Sequence, residues 1–321
     1  MKRLAFAFLL TTSAQAQSLY VSEQGDGVTI VDAKTLAITG HINPGGTEPR
    51  GIAITADGKF LLTANKGSGD LSVIDRATGN VTKRIAIGPS AEMVRVHAGL
   101  AFVTYEPPTD KGGLAHIAIV DLRSGTVTAS VPSGHETEGL EFSADGKNML
   151  VTNEGDDTIS VYALPGGAPV KVVKMPDVGM RPRGIKRLPH GGGYAVTLEF
   201  ANKFLILNKD FSIAQSVPTG EAPYGVGFDP AGTRLFVAAA KAGLLQVFDA
   251  KTYAHITDIK VGKRCWHFAF TPDGSKLAIA CGRSGDLELF DATTYAPVKT
   301  LDGLKLPWGV VAYPVSSGSL Q

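Results

Sequence analysis

Four short apolar runs alternate with turn residues between positions 48 and 88. Residues 51–55 close on Asp57-Gly58, and 60–65 on Lys66-Gly67-Ser68-Gly69. Residues 71–75 close on Ala77-Thr78-Gly79, and 81–87 on Gly88-Pro89. Runs of about five residues rich in Val, Ile and Thr, bounded by Gly, Asp and Asn, predict a four-stranded antiparallel meander. The pattern recurs along the chain. Later units span about 91–131, 138–174, 183–217, 224–260 and 266–301. Residues 17–42 hold three strands without a first, and residues 308–313 are a first strand alone.

The residue closing each third strand acts as a ruler. Asp32, Asp75, Asp121, Ala163, Asn208, Asp249 and Asp291 stand 41 to 46 residues apart, the period of four-stranded propeller blades. Seven marks, with a spare first strand at the C-terminus and a missing one at the N-terminus, predict an all-β, seven-bladed β-propeller. Its ring is closed by the C-terminal strand joining the three N-terminal strands. Closure removes the open sheet edges that invite aggregation. The expected division is a propeller over residues 17–315 and a flexible tail over 316–321. The recurring Asp at the end of strand three serves every blade and reads as a turn former accepting backbone N–H bonds.

Composition changes this picture little. The chain has 321 residues, 44% hydrophobic and 19% charged, with 38 Gly, which suits a turn-rich β protein. Its start is another matter. Lys2 and Arg3, an apolar run over 4–10 and Ala14-Gln15-Ala16 make a secretory signal with cleavage expected after Ala16, and hence a periplasmic location. Without Lys2 and Arg3 there remain 29 basic and 30 acidic residues. That balance argues against a nucleic-acid partner, and no other stretch is suited to span a membrane.

The repeat P-x-G-I-A-x-x-x-D-G-x-x-L-x-V-x-N followed by V-x-V-x-D resembles the YVTN-type seven-bladed β-propeller family. Pro49-Arg50-Gly51, Pro182-Arg183-Gly184, Pro223-Tyr224-Gly225 and Pro307-Trp308-Gly309 carry its first signature, and Ala64-Asn65 and Thr152-Asn153 part of its second. More distantly, the chain is similar to the propellers of haem-d1 proteins and of proteins that accompany quinone-dependent periplasmic dehydrogenases. Such propellers host many unrelated activities.

Candidate chemistry lies where the scaffold is fixed and the side chain varies. The residue before the strand-one Gly is expected at the mouth of the central channel. Blade by blade it is Arg50, Glu92, Glu138, Arg183, Tyr224, Trp266 and Trp308, a polar-aromatic rim suited to a small molecule or a protein segment. A self-paired, solvated rim is the plainer alternative. His135 and His267 are expected near the same face, as haem ligands or acid and base, or simply as one loop and one packed histidine. No C-x-x-C-H motif is present, which excludes covalent c-type haem. Glu23, Asn65, Asn153 and Glu199, at the ends of second strands, are candidate oxygen ligands for a divalent metal. Cys265 and Cys281 flank one hairpin turn and are expected to form a disulfide, unless a one-residue slip in register leaves two thiols. It would close a loop of about 15 residues, worth about 3 kcal/mol. G-x-S-x-G, H-E-x-x-H and G-x-x-x-x-G-K-[ST] are absent.

The function expected is therefore a non-catalytic periplasmic binding or accessory propeller. Its rim, with the loop over residues 106–113 at the edge, would take a protein partner or small ligand. The link to a redox system is implied by resemblance alone. A metal-dependent, lactonase-like hydrolase and a non-covalent haem carrier are the alternatives, and no cofactor is required by the sequence.

Overall fold

The computed structural model describes residues 17–106 and 113–321. The proposed signal (1–16) and the centre of the loop expected at the rim (107–112) lie outside the described residues. Seven four-stranded antiparallel sheets are present. The first complete unit contains β4 (Pro49–Ile54), β5 (Phe60–Asn65), β6 (Asp70–Asp75) and β7 (Val81–Ala86), in that spatial order. Five further units follow. Their innermost strands are β8 (Val94–His97), β12 (Thr137–Phe142), β16 (Pro182–Arg187), β20 (Pro223–Phe228) and β24 (Cys265–Phe270). The remaining blade joins β28 (Pro307–Tyr313) to β1 (Ser18–Glu23), β2 (Val28–Asp32) and β3 (Ile38–Ile42). Tyr20 pairs with Val311 and Val21 with Val310, so the two ends of the chain close the ring. No helix among the described residues is long and apolar enough to cross a membrane.

Burial falls from the inside of each blade outward. β4, β5 and β6 are almost wholly buried, whereas β7 shows a buried face only at Ile85. Apolar residues from adjacent blades interlock: Ala53, Leu62 and Val73 pack with Val94, Ala101 and Val103 of the next unit. Burial on both faces explains why the inner strands are continuous apolar runs rather than alternating ones.

The repeated polar positions have separate duties. Asp32, Asp75, Asp121, Asp249 and Asp291 each accept backbone N–H bonds two or three residues on, and these bonds hold all five carboxyls below their usual range. The glycines of the inner strands allow neighbouring blades to touch. A Cβ built on Gly184 would lie 2.3 Å from the Tyr224 carbonyl oxygen of the next blade. Cys265 pairs directly with Cys281 across β24 and β25 (Lys276–Cys281), and the two form a disulfide with Cα atoms 3.7 Å apart.

One expected boundary needs correction. Residues 316–321 are not a loose tail. After Tyr313 the chain turns back and lies along β24. Phe270 N donates to Ser317 O, and Ser319 N to Phe268 O, at 2.8 and 3.0 Å. Gly318 forms a bridge with Ala269, and Leu320 is buried beside Gly309 and Ile52. This tail enters the channel from the end where the inner strands finish. The gap it fills exists because Gly227 and Ala269 are small. A Cβ on Gly227 would come within 2.9 Å of Gly318. The tail thus lies within the ring of inner strands, against β20, β24 and β28.

Candidate functional site

At the end where the inner strands begin, the backbone carbonyls of three rim residues are held by hydroxyls of the preceding blade. Ser22 Oγ donates to Arg50 O (2.6 Å), Thr152 Oγ1 to Arg183 O (2.7 Å) and Thr197 Oγ1 to Tyr224 O (2.6 Å). Thr152 and Thr197 also accept the Gly139 and Gly184 amides of their own blades at 2.8 Å. One hydroxyl at the penultimate position of a second strand therefore couples two blades and sets the direction of a rim side chain.

All seven rim residues come together. Arg183 is the hub: its guanidinium meets Glu138 at 3.0 Å, Glu154 and Glu199 at 2.5 Å each, and lies 4.1 Å from the Tyr224 ring centroid. Arg181 binds Glu154 and, at 2.8 Å, Glu136. Arg264 approaches Glu199 at 3.7 Å. On the opposite side Arg50 pairs with Glu92, which Lys66 approaches at 3.5 Å, and Arg50 stands 6.0 Å from the Trp308 ring. Tyr224 lies between Trp266 and Trp308, with centroids 6.3 and 6.4 Å away. The aromatics are not equivalent rim groups, as their shared position had suggested. Tyr224 and Trp308 turn inward and are buried, and Trp266 alone remains partly exposed.

Burial governs the protonation of this mesh. Arg183 is held well above its usual range because carboxylates and Tyr224 outweigh the loss of water. Glu154, fully buried, is pushed up to about 9 by that burial and by Glu138 and Glu199, against the pull of Arg183 and Arg181. Glu106 at the mouth is pushed up to about 7 by burial, Glu138 and Glu136. Neither Glu154 nor Glu106 belongs to the rim position. Their side chains follow the ends of second strands, and a residue read only by repeat position is missed there.

Below the mesh lies a cavity of about 20 Å³, bounded by Arg95, Glu138, Leu140, Arg183, Tyr224, His267 and, from the tail, Ser319 and Leu320. That is room for about one water molecule. His267 lies 4.4 Å from the Trp308 ring. Its Nδ1 is 3.0 Å from Ser319 Oγ, and Nε2 is buried without a protein partner. Burial, Arg183, Arg95 and Arg50 push this imidazole down to about 3, so it is neutral at pH 7. Deeper still, Glu141 contacts Arg95 (3.3 Å) and Lys186 (3.7 Å), and Lys186 Nζ donates to Gln321 O of the tail. Burial and Arg95 push Lys186 down to about 8.

The other expected groupings do not form. His135 lies half-exposed on the approach to β12, 2.8 Å from Asp156, whereas His267 is buried inside the channel. They do not make an axial pair. The four metal candidates also stay apart, each engaged within or next to its own blade. Glu23 accepts Thr29 Oγ1 (2.5 Å) and Lys305 N (2.6 Å). Asn65 braces Asp70 and Ser72, and Asn153 accepts from Ser133, Gly134 and Thr137 while donating to Thr158 and Ser160. Glu199 alone joins the channel, as a partner of Arg183.

A sequence profile described as "Lactonase, 7-bladed beta-propeller" matches residues 10–97. The chain is 31% identical over 137 residues to the seven-bladed beta-propeller protein Rv1057 of Mycobacterium tuberculosis, a match covering 41% of this chain and 33% of that protein. It spans only about a third of that relative's length. In structure the chain is similar to the periplasmic gluconolactonase PpgL of Pseudomonas aeruginosa, with TM-score 0.76 and 15% identity over 93% of this chain and 99% of that one. It is also similar to hydrazine synthase of Kuenenia stuttgartiensis, with TM-score 0.73 and 18% identity over 91% and 100%. The chain is a seven-bladed β-propeller. At such identities the two structures speak for the fold alone, and they carry unrelated names on one scaffold.

Proposed function

We propose that this protein is a non-catalytic binding propeller whose channel mouth receives a segment of a partner protein. The observation that carries the reading is the convergence of seven rim residues at one end of the channel, with the tail packed among the inner strands beneath them. Small-molecule pockets usually measure about 300–1,000 Å³. The cavity beneath this rim is about 20 Å³, so an occupant sits on the mouth rather than inside it. The partly exposed Trp266, packed beside Tyr224 in a rim that also carries the Arg50–Glu92 pair and the Arg183 mesh, offers an aromatic anchor among charged groups, the composition of an interface hot spot. The reading includes export by residues 1–16 and a periplasmic location, which a mature N-terminus at Gln17 would support. Attachment to a redox system is part of the proposal and rests on resemblance.

A lactone hydrolase is the second reading, favoured by the profile match over residues 10–97. In it, Arg183 would polarise a carbonyl at the mouth. Native mass spectrometry of protein purified from its own cells, beside Arg183→Lys, separates the two. The variant keeps the charge but loses the planar fork that holds three carboxylates. The binding reading predicts a protein that accompanies the wild type and is lost from the variant. A bare mass combined with hydrolysis of glucono-δ-lactone that Arg183→Lys abolishes would replace it with the enzyme.

A further inference from the structure

The blade holding the disulfide lacks a compensation that the first complete unit provides at the same position. In the first complete unit, Asp70 opens the third strand and is compensated twice. Asn65 Nδ2 donates to it at 2.8 Å, and Arg84 forms an ion pair with it. In the disulfide blade, β26 (Asp286–Asp291) opens with Asp286 at the corresponding position. Cys281 pairs with it where Asn65 pairs with Asp70, and a disulfide sulfur donates no hydrogen bond. Two residues further on, Glu288 replaces Ser72. Thr300 on β27 (Pro297–Asp302) pairs with Glu288 where Arg84 pairs with Ser72. Asp302, a third carboxylate, pairs with Asp286.

Asp286 is 8% exposed, and its Oδ1 is buried without a hydrogen-bond partner. Asp286 and Glu288 place carboxylate oxygens within 4.8 Å of each other. Burial and like charge raise both groups: Asp302 acts on Asp286, and Asp286 on Glu288. Gly262 leaves the space into which Glu288 and Ser284 turn. A Cβ there would come within 2.8 Å of Glu288 Oε1 and 2.3 Å of Ser284 Oγ. Glu288 is partly exposed and accepts the Gly262 N–H, whereas a buried carboxylate such as Asp286 with no cation beside it is unfavourable unless it takes up a proton or a metal ion. Oxygen donors alone, next to an unreactive disulfide, suit a hard cation rather than a thiophilic one.

We propose that Asp286 and Glu288, with Asp302 at the rim, form a site for a hard divalent cation of the calcium class. It would replace the Asn and Arg that neutralise the corresponding position in the first complete unit. It lies in the blade that carries Trp266, but it does not depend on what binds at the mouth.

The test uses intact, oxidised protein stripped with chelator, titrated calorimetrically with CaCl2, MgCl2 and MnCl2 near neutral pH. The expected result is one Ca²⁺ or Mn²⁺ per chain with Kd on the order of 0.1–1 mM, the range of extracellular calcium modules. Asp286→Asn and Glu288→Gln should each weaken it at least about tenfold. No binding of any of the three ions at millimolar concentration, or equal binding by both variants, overturns the site and leaves a carboxyl pair sharing a proton.

Discussion

At the residue scale, Asn153 and His267 show how one position can serve either the scaffold or the channel. Asn153 uses both ends of its amide: three donors meet its oxygen, and its nitrogen reaches Thr158 and Ser160. Asn153→Ala would strand several buried polar groups. It should lower stability by about 2–3 kcal/mol, read as the shift in urea midpoint at constant slope. His267 occupies the place where most blades have glycine, yet its ring fits because Trp308 and the tail surround it. Its folded pKa lies below the unfolded value of about 6.5. Its contribution to stability is therefore fully present above that value and is lost as pH falls toward about 3. Urea unfolding should show stability declining below about pH 6.5, and less steeply in His267→Gln. The same slope in both proteins would show that His267 does not control the effect.

At the element scale, the sequence disclosed the repeat and concealed the tail. Strands were legible because turn residues punctuate apolar runs at a fixed period. The disulfide was legible because its two positions lie opposite each other across a recognisable turn. Residues 316–321 are polar and short, with no period, and nothing in them marks a plug. The complementary signal lay elsewhere, in Gly227 and Ala269, where neighbouring blades carry Arg95, Glu141 and Lys186 at the same level of the inner strand. The ion mesh was half legible for a related reason. The rim residues share a repeat position, but Glu154, Arg181 and Glu106 reach the mesh from loops. Removing residues 316–321 would uncover buried apolar surface around Phe268 and detach Ser319 from His267. It should lower the thermal midpoint by several degrees while the ring stays closed, since β28 ends at Tyr313. An unchanged midpoint, measured by far-UV circular dichroism, would show that the tail does not stabilise the channel.

At the scale of the whole molecule, closure of the ring brings the rim residues of the seven blades together at one end of the channel. The pairing of β28 with β1 holds the ends together, and hydroxyls from one blade orient the rim residues of the next. Both tryptophans of the chain, Trp266 and Trp308, stand there, so intrinsic tryptophan emission reports on this face alone. The most direct measurement is a titration of that emission with fractionated extract from the protein's own cells, for the wild type and for Arg183→Lys. Binding at the mouth predicts a saturable change in emission with a protein fraction, weakened at least about tenfold by the variant. A fraction that binds the protein and leaves both tryptophans unchanged, or binds wild type and variant equally, would place the partner elsewhere and contradict the assignment of this face.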